Sequence, residues 1–346
     1  LATALAAPTA TFDAWKARFG KTYLTLTAEL DAASAFKANL QALAAFSAEQ
    51  GESTFSLDVS PFMDMPLATF RSTVLMNLGE PDMVARETRT APAPVLDAPL
   101  PPSFTWRGKG AVGPVRDQGT VGTCWAFSTA ENVAGQYARH AGNFTVLSTE
   151  FLVDCDDTDC GVFGGWPNQA FEYILSARGG QMPSEADVPY CCGNGDCYPC
   201  MADKNKTYCG PPPTYCNKTQ NDRACATYTP AATISNYTFI AKNETVMAME
   251  LVSRGPLSVL MDATGLQWYH SGIWNPKPGL LSCASTGVPD TLDHAVLITG
   301  FGSTDGQDYW EVKNSWGEKW GQDGFFQIAR GVNRCGIDAW VTTSIV

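Results

Sequence analysis

The hydrophobic period of the chain changes twice. In "TFDAWKARFG", Phe12, Trp15 and Phe19 share one helical face, and Gly20 is placed to stop the helix. "TAELDAASAFKANLQALAAFSAEQG" predicts a second, long helix, capped near Thr27 and closed by Gly51, with Glu29, Phe36 and Leu43 seven apart along one side. "ARETRTAPAPVLDAPLPP" follows, rich in Pro and Ala, and reads as an extended linker and domain boundary. Helical patterns then dominate to about residue 190. Among them, "CWAFSTAENVAGQYARHAG" has Arg139 and His140 in its last turn and Gly142 behind. Residues 191–225 show no period. Beyond residue 255, "LSVLMDA", "HAVLITGFG", "DYWEVKNSWG" and "GFFQIARG" are short apolar strands with glycine turns, the pattern of an antiparallel barrel-like sheet. The expected class is α+β: a helical N-terminal unit, then a helical lobe, then a β lobe, with no internal repeat.

Composition narrows the setting. The 346 residues carry a net charge of −12, which disfavours nucleic acid and anionic membranes as partners. No window approaches the ~18 unbroken apolar residues of a membrane span. "LATALAA" at the start reads as a mobile terminus rather than the end of a signal peptide. All twelve cysteines lie at or after Cys124, too many for a reducing compartment without metal. Asn-x-Thr acceptor sites at Asn143, Asn205, Asn217, Asn236 and Asn243 agree with passage through the secretory pathway. Seven cysteines fall within residues 191–225. One Cys-x-x-Cys pair with no histidine in that stretch favours disulfides over zinc, and no metal or cofactor is expected.

Cys124 opens its predicted helix, where the partial positive charge of the N-terminus favours thiolate and suits nucleophilic chemistry. Against this stands the ordinary role of a cysteine in such a chain, a disulfide half. A base must come from three histidines. His140 lies about 24 Å along the same helix. His270, in "QWYHSGIW", reads as packing among aromatics. His294 opens an apolar strand in the β lobe and can face Cys124 across a cleft. Asn314, with Trp316 beside it, is placed to orient an imidazole. Gln118 and the Cys124 backbone N–H are candidate oxyanion donors.

These residues lie in motifs that together resemble the papain family of cysteine proteases, of the cathepsin L-like kind. "PPSFTWRGKGAVGPVRDQGTVGTCWAFS", "LVDC", "GGWP", "LDHAV" and "YWEVKNSWGEKWGQDGFFQIARG" occur in the family's order and spacing. The resemblance implies a papain-like two-lobed fold, a helical left lobe and a β-barrel right lobe, at residues 98–346, with the Cys-rich insert at 191–225. It also implies an inhibitory helical propeptide at residues 1–97. Cys124 would be the nucleophile, His294 the acid/base, Asn314 its orienter and Gln118 the oxyanion donor. Gly164, Gly165, Trp166, Pro167, Leu260, Asp293, Ala295, Trp316 and Trp340 would bind substrate, with Trp340 shortening the pocket for the second residue before the cut. Implied partners are peptide substrates, the propeptide itself and cystatin-like inhibitors, acting on a monomer. The implied setting is a lysosome, a vacuole or the extracellular space.

Without histidine in residues 191–225, the histidine-bearing occluding loop of cathepsin B-like carboxydipeptidases has no counterpart there. An endopeptidase is therefore expected. The alternative is an inactive family member serving as a binding or storage protein. The chain departs from the propeptide signature at Ala33, Ser47, Asp58 and Ser60, which puts the internal ion pairing of that unit in question. Relatives also carry a disulfide where Val121 and Val162 stand here. The expectation is a paired replacement by an apolar contact, with Cys160 partnered elsewhere.

Overall fold

The computed structural model describes residues 10–76, 82–191, 225–283 and 291–346. Asn205, Asn217 and most of the Cys-rich stretch lie outside them. Helix α1 (Phe12–Phe19) is capped by the Thr11 hydroxyl, which accepts from the Ala14 N–H, and ends at Gly20 with φ 67°. The cap of helix α2 (Leu26–Gln50) lies two residues before the expected one. Thr25 is the residue in extended conformation, and its hydroxyl accepts from the Ala28 N–H. The two helices close on an aromatic cluster, with Phe12, Trp15 and Phe36 at 5.4–5.7 Å between ring centres.

The ion pairing of the N-terminal unit is present, with cations drawn from α1 and the turn after it. Lys16 pairs with Glu29, Arg18 with Asp58 (2.6 Å) and Lys21 with Asp64 (3.2 Å). The Tyr23 hydroxyl also donates to Asp64 at 2.9 Å. Asp58 thus acquires a partner of its own, and the Ser60 carbonyl accepts from the Trp15 indole N–H at 2.8 Å.

After β1 (Phe55–Leu57) come α3 (Leu67–Thr73) and α4 (Met83–Arg89). Helix α4 corrects the expected linker. Asp82 accepts from the Ala85 N–H at 2.8 Å, so the first part of the Pro/Ala-rich stretch is helical. The extended course starts at Thr90, which bridges in parallel to Phe239.

The helical lobe holds α5 (Cys124–Ala141), α6 (Thr149–Cys155) and α7 (Pro167–Arg178), with a small sheet of β3 (Gln181–Pro183) and β4 (Pro230–Thr233). Among the described residues the β lobe forms one nine-stranded sheet. It contains β2 (Phe104–Thr105), β5 (Asn236–Phe239), β6 (Leu257–Met261), β7 (Tyr269–Trp274), β8 (His294–Thr304), β9 (Gln307–Lys313), β10 (Phe325–Ala329) and β11 (Trp340–Ile345). Its order is β1-β7-β10-β9-β8-β6-β11-β5, with β2 on β8. All pairs are antiparallel except β7 with β10. Strand β1 comes from the N-terminal unit, so that unit extends the sheet by main-chain hydrogen bonds. It also shares a core with the sheet, where Phe46 and Phe55 pack on Trp274 at 6.0 and 4.6 Å. His270, expected to pack, is exposed on β7 because it points off the face that Tyr269 and Ile273 bury.

Disulfides join Cys155 to Cys225 and Cys283 to Cys335, and Cys160 and Cys191 are also disulfide-bonded. Among the described residues Cys124 is the free cysteine. Val121 and Val162 lie in one apolar cluster, and the Gly122 N–H donates to the Val162 carbonyl at 2.8 Å. Asn143, Asn236 and Asn243 are all exposed. The Asn243 side-chain oxygen caps α8 (Glu244–Arg254), an acceptor role that modification of the amide nitrogen leaves intact. No helix of the described residues is long and apolar enough to cross a membrane.

Candidate active site

Cys124 is the first residue of α5, and its thiol is fully buried. The Ala295 N–H, the residue after His294, reaches the Cys124 Sγ at 3.5 Å, so the start of β8 lies against the start of α5. The sequence leads to an expectation of a depressed thiol pKa. The structure reverses it: burial pushes the thiol up to about 12, and the N–H groups of Ala295, Trp125 and Cys124 act in the opposite sense without offsetting it. His294 is driven down to about 4 by burial, against the raising effect of its Asn314 hydrogen bond. In this closed state the pair is a neutral thiol beside a neutral imidazole.

The His294 imidazole is held by two neighbours. His294 Nε2 meets Asn314 Oδ1 at 2.8 Å, and Trp316 stacks on the ring at 4.7 Å and 27°. Nδ1, the remaining nitrogen, is buried without a hydrogen-bond partner. Asn314 is held by its own N–H, which donates to the Gly324 carbonyl at 3.0 Å.

Gln118 sits at the same point, fully buried. Its Oε1 accepts from the Ser315 hydroxyl at 2.7 Å, and its Nε2 donates to Val121 O at 2.8 Å and Val74 O at 2.9 Å. Val74 belongs to the segment after α3, so the N-terminal unit places a peptide carbonyl on the amide expected to receive an oxyanion. Two residues on, the Met76 N–H donates to the Asp293 carbonyl at 2.7 Å. Phe62 and Phe70 meet the Trp316 edge at 5.4 and 5.6 Å. A side chain at Gly122 would come within 3.0 Å of the Leu75 carbonyl, so this approach needs a glycine.

Of the expected substrate-binding residues, Trp166, Leu260, Ala295 and Trp340 gather on one side, whereas Trp316 lies in the other buried cluster against the His294 ring. Met76, Cys124, Trp166, Leu260, Ala295 and Trp340 belong to one buried cluster. Trp166 and Trp340 lie 4.7 Å apart, and the Trp340 indole donates to Asn168 Oδ1 at 3.0 Å. Gly165 is pressed against Asp159 and Trp125, where a Cβ would approach within 2.7 Å of each. Pro167 opens α7. Sequence reasoning missed Ser315, which carries Gln118, although it stands inside "KNSWG". It also did not single out Val74 and Met76. No spacing marks them, because a backbone carbonyl and N–H make their contacts.

Asp293 is buried, and desolvation, reinforced by Asp262, raises its pKa from 3.8 to about 8. The folded chain therefore keeps a proton that the unfolded chain releases. This contribution is full below about pH 4 and disappears as pH rises through about 8. His294 works oppositely, giving stability that is lost only as pH falls from 6.5 through about 4. Between pH 8 and 6.5 Asp293 acts alone of the two. With Asp154, whose buried carboxyl is also raised to about 8, acting in the same sense, a Cys124→Ala chain is expected to be more stable at pH 6.5 than at pH 8, with a Tm higher by a few °C. Calorimetry at the two pH values checks this; an unchanged or lower Tm at pH 6.5 contradicts it.

The model of the papain family cysteine protease domain matches residues 100–345, and that of the cathepsin propeptide inhibitor domain matches residues 12–70. Cysteine proteinase 15A of Pisum sativum is 33% identical over 96% of this chain and 85% of its own length. Digestive cysteine proteinase 2 of Homarus americanus is 34% identical over 96% and 94%. Digestive procathepsin L 3 from Tenebrio molitor larval midgut superposes with a TM-score of 0.75 at 30% identity, covering 96% of this chain and 97% of its own.

Proposed function

The chain belongs to the papain family of cysteine proteases, with that family's propeptide inhibitor domain ahead of its peptidase domain, and from this we propose a cysteine endopeptidase that its own prosegment holds inactive. The observation that carries the proposal is the Gln118 amide. It stands between Ser315 and the Val74 carbonyl, beside Cys124 and the His294–Asn314 pair. When a scissile carbonyl replaces Val74 there, the Cys124 thiolate attacks it. The Gln118 amide and the Cys124 N–H stabilise the tetrahedral oxyanion. His294, protonated in the open site, gives its proton to the leaving amine. It then takes one from water as that water hydrolyses the thioester. Hydrolysis of a denatured protein substrate after acid treatment tests this, and no cleavage under any processing condition sinks it.

We place the boundary of the prosegment near residue 97. Its chain passes Trp316 through Phe62 and Phe70, then Gln118 through Val74, then reaches Trp340 through Arg86. A substrate with its residues before the cut at Trp340 runs the opposite way, so the prosegment lies there unproductively. Acid is the release signal in this reading. The bridges of Glu29, Asp58 and Asp64 to Lys16, Arg18 and Lys21 hold the prosegment together, and acid loosens carboxylate ion pairs in general. Conversion of the full chain, followed on gels, is expected to be at least ~10-fold faster at pH 4.5 than at pH 7.5; fastest conversion at neutral pH contradicts it. Disulfides and the acceptor asparagines support a secretory route ending in an acidic or extracellular compartment.

Trp340 sets the preference for the second residue before the cut. A buried indole there leaves room for a medium apolar side chain. Trp340→Glu is expected to raise kcat/KM for Arg at that position ~10-fold relative to Leu. Peptide profiling without gain for Arg removes the assignment.

A further inference from the structure

Helix α4 carries Arg86 and Arg89, three residues apart and so on one face. Both lie over aromatic rings of the peptidase domain. The Arg86 guanidinium is 5.2 Å from the Trp340 ring centre, and that of Arg89 is 4.5 Å from Tyr237. Arg89 is held on three sides. Its Nη2 donates to Glu172 Oε2 and its Nη1 to Asn236 Oδ1, each at 2.9 Å, with the Tyr237 face beneath. A carboxylate, an amide oxygen and an aromatic face are the groups that recognise a guanidinium.

Two of the three groups are held without the arginine. Tyr237 is buried and stacked on Phe171 at 5.6 Å and 24°. Asn236 Oδ1 is fixed by the Tyr237 N–H at 2.9 Å. Glu172 stands on α7 with its side chain 46% exposed. All three residues belong to the peptidase domain, so removal of the prosegment leaves the cradle formed and empties it. We propose that in the processed enzyme it is a subsite for an arginine side chain of the substrate, outside the Trp340 pocket. This rests on the peptidase reading above. Ring contacts of 5.2 Å from Trp340 to Phe239 and 6.1 Å from Phe239 to Tyr237 mark its reach. At ~3.3 Å per extended residue, the arginine stands ~3 residues ahead of the apolar one. A preformed site of this kind adds binding shared by ground and transition states, so it lowers KM and leaves kcat alone.

The test uses enzyme processed from the full chain. Blocked peptides carry one apolar residue for the Trp340 pocket and either Arg or Ala at each of four positions ahead of it. Arginine at one position is expected to lower KM ~10-fold with kcat unchanged. Glu172→Lys should remove that advantage while cleavage of the Ala peptides stays the same. If every peptide is cleaved and no position distinguishes Arg from Ala, the subsite is refuted and the peptidase reading stands. Fluorescence anisotropy of the same peptides on processed Cys124→Ala chain, cut by an added protease if needed, decides the matter without catalysis. There Arg is expected to tighten Kd ~10-fold over Ala in a Glu172-dependent way, and equal Kd values overturn the proposal.

Discussion

Cys124→Ser is expected to lower kcat/KM on peptide substrates at least ~10⁴-fold and to leave the chain at full length after acid treatment. The substitution replaces sulfur by oxygen in a fully buried position without adding volume, so packing of α5 should survive. Chemistry is what changes. A serine hydroxyl is far from ionising beside an imidazole arranged for a thiol, and the ion pair that makes cysteine nucleophilic does not form. A Tm within about 2 °C of the parent chain, alongside lost hydrolysis, separates a chemical from a structural effect. Residual activity above a hundredth of the parent chain's would mean that Cys124 is not the nucleophile.

The second large effect is expected at Gln118, and it has two opposed faces. Gln118→Ala removes an N–H donor from the position now taken by the Val74 carbonyl, and kcat of the processed enzyme should fall ~10²–10³-fold. The same loss weakens the hold of the prosegment, because Val74 forfeits its buried partner. Recombined prosegment should then inhibit less tightly, by about tenfold for ~1.4 kcal/mol. Gln118→Glu keeps the size and supplies no donor when ionised, so it should resemble Ala in kcat. Steady-state kinetics with both variants checks this. An unchanged kcat refutes the oxyanion role, and a changed kcat with unchanged prosegment affinity refutes the shared donor.

The residues proposed to carry the chemistry were legible because chemistry demands particular side chains at particular places. Cys124 at a helix start, His294 at a strand start and Asn314 at the next strand end all fall where the period change puts them, and the structure brings them together. Helix α1 was readable from Phe12, Trp15 and Phe19 with its glycine stop, and α4 was not. Beyond the local Asp82 cap, it is held by Arg86 and Arg89 reaching Trp340 and Tyr237, contacts remote in sequence. Strand β1 has only three residues, and its pairing partner is more than 200 residues away. The raised thiol pKa of the closed chain was not legible for a related reason. A helix N-terminus is visible in sequence, whereas burial of Cys124 and His294 beneath Val74 and Met76 is a property of the closed chain.

The central claim is that Cys124 and His294 form a competent pair that the prosegment keeps closed and neutral. Labelling of Cys124 by an epoxide cysteine protease inhibitor, read by intact-mass spectrometry, tests it most directly. Full-length chain at pH 7.5 should take up almost no label, because the thiol is buried with its pKa near 12. Acid-processed chain should take up one equivalent within minutes, mapped to Cys124. Rapid labelling of the full-length chain, or none after processing, would contradict the account.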